Sequence, residues 1–240
     1  MTGAAVVDNL ARVRQRMADA CARADRSEDT VRLVAVSKRI ALPLLVAACR
    51  AGQWDLGENR VVEALDRQEQ LPGLLTDAGL DPTRLQWHFI GHLQRNKATK
   101  AAGRFCLLHG VDSLKLARRL SDLAASAGRA QDILLEVNIA QEAAKHGFAP
   151  AETVAAIERA AALPGINVTG LMGMARHGAD EPELRATFAS LRRLAATGRT
   201  ATGLALAELS MGMSGDFEAA IAEGATLIRV GGAIFGPRQD

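Results

Sequence analysis

Tyrosine is absent from the 240 residues, and aromatic residues of all kinds make up only 3% of the chain. An excess of either charge is also lacking, because 29 Lys and Arg residues against 27 Asp and Glu residues leave a net charge of +2. Nucleic-acid binding usually needs clustered excess cations that neutralise phosphates, so no nucleic-acid partner is expected. The hydrophobic share of 48% is typical of a folded globular protein and argues against intrinsic disorder.

Apolar runs long enough to span a membrane are missing as well, since no stretch approaches 18 apolar residues. The N-terminal segment mixes apolar residues with Asp8 and several arginines, which differs from the apolar stretch of a signal peptide. Cys21, Cys49 and Cys106 are widely spaced and form no C-x-x-C pair, which favours reduced thiols in the core. These features predict a cytoplasmic protein without a membrane partner.

Short apolar segments alternate with amphipathic ones along the whole chain, and glycine closes most of the latter. Strands are expected at 31–37, 54–57, 86–90, 104–108, 132–139, 166–174, 208–211 and 225–230, and helices at 4–24, 42–51, 59–71, 95–102, 113–127, 150–162, 181–197 and 215–223. Eight strand–helix units in this length predict an α/β protein with a single (β/α)8 TIM barrel and an extra N-terminal helix. We expect one domain over 1–240, with the helix at about 4–24 and the barrel at about 31–236.

A doubly wound open sheet is the alternative fold. It usually has fewer strands and carries a glycine fingerprint after its first strand, where this chain has Ser37-Lys38-Arg39-Ile40. In a TIM barrel, functional residues follow the carboxyl ends of the strands. The strand-end segments that contain chemically useful residues are 37–38, 57–60, 88–94, 210–216 and 229–236.

Glycines follow the seventh and eighth predicted strands, where barrels commonly bind phosphate through backbone N–H groups. Gly231 and Gly232 allow close approach of an anion, and Ser214 is suited to cap the helix that begins near Asp216 and to reach a phosphate. An ordinary glycine-rich turn with a helix cap is the alternative. Arg229 ends the eighth strand, and an ion pair with Glu208 or Asp216 is one interpretation of it.

Lys38 is one of five lysines in a chain with 24 arginines. An amine at a strand end can form a Schiff base, which a guanidinium does not usefully do, whereas a solvated loop lysine is the alternative. His88 and His92 have the i, i+4 spacing of some zinc sites, but they flank a strand end and no nearby carboxylate or thiolate completes a site, so no metal is expected. Met172, Met174, Met211 and Met213 are expected to fill the barrel or form a pocket wall.

In order along the chain, the segments 33–38, 57–59, 87–94, 170–172, 209–214 and 229–236 resemble those of the pyridoxal phosphate homeostasis proteins. This family shares the barrel of the alanine racemase N-terminal domain and binds pyridoxal 5'-phosphate (PLP). The resemblance implies a Schiff base between PLP and Lys38. It also implies cofactor contacts for the following residues: Asn59 near the ring oxygen, Ser214, Gly231 and Gly232 at the phosphate, Arg229 at the pyridine nitrogen with Ser210 in support, and Met211 beside the ring. Many members have a hydroxyl residue at the position of Gly232, which predicts weaker phosphate retention here.

The resemblance implies a protein that holds PLP and takes part in its intracellular homeostasis and delivery, with no catalytic residues. The alternative is a PLP-dependent amino-acid racemase. Such a racemase resembles a two-domain protein with a tyrosine as its second acid/base, whereas this sequence has no tyrosine and ends after the eighth unit. We expect a monomer whose recipients are PLP-dependent apo-enzymes.

Overall fold

The computed structural model describes residues 1–142 and 146–236 and contains a closed barrel of eight parallel strands. The strands follow one another around the barrel in chain order, and β8 pairs with β1 to close it. The strands are β1 Arg32–Val36, β2 Asp55–Glu58, β3 Gln86–Phe89, β4 Leu107–Val111, β5 Gln131–Val137, β6 Ile166–Gly173, β7 Glu208–Ser210 and β8 Leu227–Val230. The predicted (β/α)8 barrel is therefore confirmed.

Helices surround the barrel and follow most strands. They are α1 Gly3–Arg23, α2 Leu42–Arg50, α3 Val61–Asp77, α4 Ala98–Ala101, α5 Leu114–Ser126, α6 Thr153–Ala161, α7 Glu181–Thr202, α8 Phe217–Ala222 and α9 Gly232–Phe235. Short 3-10 segments lie at Glu28–Thr30, Pro82–Arg84, Arg95–Lys97 and Pro150–Glu152. Among the described residues, no helix has the length and apolar character needed to cross a membrane.

The extra N-terminal helix is present and packs on the outside of the barrel. The Thr2 hydroxyl accepts a hydrogen bond from the Ala5 N–H at 3.3 Å, which caps the start of α1. Val6, Leu10 and Val13 recur at helical spacing and are buried, and α1 contacts α2, α8 and α9. This buried apolar stripe holds α1 against the outside of the barrel, although the helix is not part of the strand–helix alternation.

Two helices continue beyond the glycine and proline that were predicted to end them. Helix α3 passes through Pro72 and ends at Asp77, and α7 passes through Gly198 and ends only where Gly203 adopts a left-handed φ of 72°. Gly198 serves helix packing, because a Cβ there would lie 2.6 Å from Ile157 Cδ1. The predicted ends at 71 and 197 are wrong.

Strand β4 is displaced by three residues from its predicted position at 104–108. It includes His109 and Gly110, which lie outside the predicted strand. Cys21 and Cys49 are buried free thiols as predicted, but Cys106, just before β4, is exposed. Helix α9 has no counterpart among the predicted elements.

Most core residues lie between the strands and the helices, and a second apolar cluster fills part of the barrel interior. Its buried members come from five strands: Val34, Leu107, Leu134, Met172 and Leu227. Side chains alternate along a strand, so His109 and Arg229, two residues after Leu107 and Leu227, also face the interior. The barrel interior therefore combines apolar filling with buried polar groups.

Candidate functional site

The carboxyl ends of the strands surround a cavity of about 1120 Å³, which is ample for a small-molecule cofactor. Six of the eight predicted site residues line it: Lys38, Asn59, Ser214, Arg229, Gly231 and Gly232. They belong to β8 and to the segments after β1, β2, β7 and β8, which barrel closure brings to one face. Ser210 and Met211 are not part of this lining.

Lys38 occupies the first turn after β1, and its side chain is half-buried at the cavity. The preceding residue, Ser37, accepts a hydrogen bond at its carbonyl from the Ile40 N–H at 3.0 Å, which closes the turn. The Ser37 hydroxyl donates to Glu58 Oε1 at 2.7 Å at the end of β2. The backbone that bears Lys38 is thus fastened to the neighbouring strand.

Glu58 is fully buried and was not identified as a functional residue from the sequence, although it lies in the Gly57-Glu58-Asn59 motif. Burial raises the pKa of its carboxyl, while the Ser37 hydrogen bond and Arg67, whose Nε lies 3.6 Å from Oε1, oppose that rise. Its Oε2 has no hydrogen-bond partner among the described residues. Glu58 directly precedes Asn59, and Ser37 directly precedes Lys38, so the buried hydrogen bond between them links the backbone at the two predicted site residues.

Asn59 lies at the cavity wall, directly against Gly91 in the loop after β3. A Cβ on Gly91 would lie 2.6 Å from the Asn59 carbonyl oxygen and 2.8 Å from its Cα. Backbone atoms cannot yield as a flexible side chain does, so this approach requires glycine. The glycine in the segment 88–94 therefore sets the position of Asn59.

Backbone donors from the start of α9 converge on Ser214. The Ser214 hydroxyl oxygen accepts hydrogen bonds from the N–H groups of Gly231 at 3.3 Å and Ala233 at 3.4 Å. Gly232 lies between them, and a Cβ there would meet nothing within 4 Å. These donors and the open space beside them form a cradle that suits a phosphate.

Ser214 is not a helix cap, contrary to the sequence prediction. Helix α8 begins at Phe217 with Asp216 as its N-cap residue. The Asp216 carboxylate instead accepts a hydrogen bond from the Met213 N–H at 2.5 Å, which shapes the loop after β7. Ser214 is left to face the glycines of the next loop.

Arg229 extends from β8 to the floor of the cavity and is only 4% exposed. Its guanidinium donates to Ser210 Oγ at 2.6 Å and to the Gly173 carbonyl at 3.3 Å. Burial lowers its pKa to about 10, with Asp216 and Glu136 opposing the decrease, so the group stays cationic at neutral pH.

The ion pair suggested between Arg229 and Glu208 is not formed. Glu208 pairs with Arg32 at 2.6 Å. Asp216 acts on Arg229 through its charge and raises the pKa of the guanidinium. The side-chain hydrogen-bond acceptor of Arg229 is Ser210.

Ser210 and Met211 are both fully buried at the end of β7. Met211 belongs to the apolar core outside the barrel interior, so its predicted place beside a cofactor ring gains no support from the structure. The other methionines match the expected roles better: Met172 fills the barrel interior, and Met174 and Met213 line the cavity.

His88 and His92 do not share a site. His88 is buried in the barrel, and its Nδ1 lies 3.0 Å from His109 Nε2. His92 is at the mouth, where its Nδ1 lies 2.8 Å from an Asp112 carboxylate oxygen and its ring stacks on His146 at 4.0 Å. Asp112 is the carboxylate that the linear sequence did not place near a histidine.

His92, Asp112 and His146 bring one ligand atom each within 4.8 Å of one another. The two imidazole planes differ by only 13° and are stacked. An imidazole nitrogen binds a metal in the plane of its own ring, so stacked rings do not direct their nitrogens at one ion. The arrangement fits a hydrogen-bonded pair with a stacked neighbour better than a metal centre.

Glu136 also lines the cavity and was not predicted from the sequence. Burial raises the pKa of its carboxyl, and nearby Asp112 raises it further. It follows no recognisable motif, and only its place near the end of β5 could have identified it.

The comparison with known proteins agrees with this geometry. The family model described as alanine racemase, N-terminal domain, matches residues 5–239. A curated relative from Pseudomonas aeruginosa, named pyridoxal phosphate homeostasis protein, is 40% identical over 98% of this chain and 96% of its own length. A relative of the same name from Aquifex aeolicus is 37% identical over 97% of this chain and 98% of its own length.

Among solved structures, PipY of Synechococcus elongatus with PLP bound is 37% identical. It has a TM-score of 0.81, and the match covers 96% of this chain and all of that one.

Proposed function

Because the chain belongs to the pyridoxal phosphate homeostasis proteins, within the alanine racemase N-terminal domain family, we propose that it binds PLP in the barrel-mouth cavity. There it holds the cofactor through Lys38 and takes part in PLP homeostasis and delivery in the cell. The observation that carries this proposal is the convergence of an amine, a backbone phosphate cradle and a buried guanidinium on one cavity. Bound PLP would supply an aldehyde that reacts reversibly with an amine.

The donor set fits the chemical groups of PLP. The N–H groups of Gly231 and Ala233, together with the Ser214 hydroxyl, would hold the phosphate. Gly232 leaves space for its close approach. Asn59, which also lines the cavity, would lie near the ring oxygen.

Arg229 would face the pyridine nitrogen, with Ser210 orienting its guanidinium. An arginine whose pKa is about 10 remains protonated at neutral pH and donates a hydrogen bond without transferring its proton. An unprotonated pyridine nitrogen withdraws electron density less strongly than a protonated one, so a carbanion on a bound substrate would be less stabilised. This favours a carrier over a racemase.

Racemisation also needs an acid/base group on each face of the substrate carbon. Lys38 would serve one face, and no tyrosine exists in these 240 residues for the other. Of the histidines, His88 lies in the barrel interior, whereas His92, His146 and His177 line the cavity. His92 is engaged by Asp112 and stacks on His146. From the unprotonated ring nitrogen and the lack of tyrosine in these 240 residues, we propose that the protein is not an enzyme.

The first test is covalent capture of the cofactor. Protein incubated with PLP should show a visible absorbance band, and borohydride should convert the reversible link into a stable adduct at Lys38, located by peptide mass spectrometry. Lys38→Ala and Lys38→Arg should lose both signals, since neither offers an amine. Lys97→Ala, outside the cavity lining, is the matched control and should behave as wild type. A protein that never develops the band refutes the proposal.

The second test separates delivery from catalysis. PLP-loaded protein should restore activity to an aminotransferase stripped of PLP, and incubation with L-alanine should yield no D-alanine beyond the amount that free PLP produces. General acid–base groups contribute about 10²–10⁴-fold each, so loss of one leaves only trace turnover. Rapid racemisation that disappears in Lys38→Ala would establish the enzyme instead. We also propose a monomer, which light scattering during gel filtration tests.

A further inference from the structure

A continuous line of hydrogen-bonded side chains runs through the barrel interior to Arg229. Asp55 Oδ1 lies 3.0 Å from His88 Nε2, and His88 Nδ1 lies 3.0 Å from His109 Nε2. His109 Nδ1 lies 2.8 Å from Ser210 Oγ, which accepts from Arg229 at 2.6 Å. Each of the last four residues is at most 4% exposed. We call these five residues the barrel relay.

The relay joins opposite ends of the barrel. Asp55 is the first residue of β2, at the amino end of the strands, and its side chain is 24% exposed. Arg229 is the third residue of β8 and reaches the cavity at the carboxyl end. The three residues between them belong to β3, β4 and β7, so only barrel closure makes the line continuous.

When both imidazole rings are neutral, the two end groups set one direction for every hydrogen bond in the relay. A guanidinium only donates and a carboxylate only accepts. With its oxygen accepting from Arg229, Ser210 has its O–H available to donate to His109 Nδ1. His109 then carries its proton on Nε2 and donates to His88 Nδ1, and His88 donates from Nε2 to Asp55.

The environment favours a neutral ring at His109. The pKa of His109 lies well below its usual value, first because of burial and then because of His88 and Arg229. Aligned bonds polarise one another, with every acceptor end directed away from the cation. Arg229, which has little exposure to water, gains a hydrogen-bond acceptor whose orientation is fixed from the far end of the barrel.

We propose that Asp55, His88 and His109 are positioning residues that hold the Arg229 guanidinium toward the pyridine nitrogen of PLP through Ser210. The inference rests on the proposed function for the identity of the cofactor. The direction of the hydrogen bonds in the relay is a property of the cofactor-free protein. The two parts are therefore measured separately.

The first measurement uses cofactor-free protein labelled with ¹⁵N. Long-range ¹H–¹⁵N spectra near neutral pH should show His88 and His109 as neutral rings protonated on Nε2. In Asp55→Leu, which removes the terminal acceptor, the His109 ring signals should shift. Asp55→Asn keeps an acceptor oxygen and should restore the wild-type pattern. A ring protonated on Nδ1 in the wild type would overturn the relay, whether or not PLP binds.

The second measurement follows the release of PLP to an excess of apo-aminotransferase. Losing one orienting hydrogen bond, worth about 0.5–1.5 kcal/mol, should speed release in Asp55→Leu by about two- to tenfold, with rescue in Asp55→Asn. Asp132→Leu is the matched control, because Asp132 also lies near the amino end of a strand but bonds Asn167 at 2.8 Å. Release from Asp55→Leu at the wild-type or control rate refutes the positioning role. Failure of PLP to bind wild type refutes the proposed function and leaves the ring measurement valid.

Discussion

Introducing a hydroxyl at the phosphate cradle should slow PLP loss, and Gly232→Thr is the change that tests this. Gly232 begins α9 between two N–H groups directed at Ser214, and its position is exposed at the rim. Its φ is not in the left-handed region, and a new Cβ would meet no protein atom within 4 Å. The substitution therefore adds a donor without strain in the protein.

The expected gain follows from the exposure of the site. A hydrogen bond to a charged group contributes about 1.5–3 kcal/mol, and ordering the new side chain opposes it by about 0.5–1.5 kcal/mol. Solvent at the rim favours the lower end, so about 1 kcal/mol should remain, which is roughly a fivefold slower release. Gly232→Val has nearly the shape of Gly232→Thr and the same effect on α9, but it lacks the hydroxyl.

Release into excess apo-aminotransferase gives the rate, and pyridoxal without phosphate provides a second control. Gly232→Thr should retain PLP longer than both wild type and Gly232→Val, and the three should bind pyridoxal alike. Equal rates for the threonine and valine variants, or faster loss from threonine, would show that no phosphate lies beside this residue.

Three further predictions, the first with a control substitution, test the surroundings of the site and the continuity of α3. Gly91→Ala should destabilise the fold by about 1–3 kcal/mol, because the new Cβ clashes with the backbone of Asn59, and it should also weaken PLP binding. Gly73→Ala, at an exposed position of α3, is the control and should stabilise the fold by about 0.5–1 kcal/mol. Urea unfolding that ranks the two variants otherwise contradicts the geometry. The raised pKa of Glu58 means that the folded chain holds this proton more tightly than the unfolded chain, so the free energy of unfolding of the wild type should fall as pH rises from 4.5 through the folded pKa. Glu58→Gln should remove that part of the pH dependence. Parallel curves of unfolding free energy against pH for the wild type and Glu58→Gln, measured with urea between about pH 4 and pH 7, would refute it. Pro72→Ala should raise the free energy of unfolding by about 2 kcal/mol, because α3 passes through this residue and the proline entropy effect offsets only part of the helix penalty; an unchanged urea midpoint would argue against a continuous helix.

Local sequence pattern determined the architecture and the approximate place of the site. Alternation of apolar strands with glycine-closed helices identified eight strand–helix units, and each predicted strand overlaps an observed one. Strand-end position singled out Lys38, Arg229 and the glycines after the eighth strand, which the structure brings to one cavity. These features can be predicted from the sequence because the hydrophobic period of an element and the residues that follow a strand are local properties of the chain.

Helix ends depended on tertiary contacts that the pattern does not contain. Gly198 reads as a terminator, yet its missing Cβ lets α7 pack closely on Ile157 and Leu206. Pro72 reads as a break, yet the turns on either side of it bury Leu71 and Leu75, which supports continuation of α3. Packing of an apolar face outweighed the local preference in both helices.

The polar interior of the barrel was decided entirely by closure of the sheet. His88 lies only four residues before His92, but its partners are Asp55 at the start of β2 and His109 on the next strand. Gly110, which lies outside the predicted strand 104–108, belongs to β4, and a Cβ there would be 2.5 Å from the Gly91 carbonyl oxygen. A buried polar group is stable only with a hydrogen-bond partner, and in a barrel that partner comes from a strand distant in sequence. Chain neighbours therefore predict the strands, whereas the hydrogen-bonded line that reaches Arg229 exists only in the folded barrel.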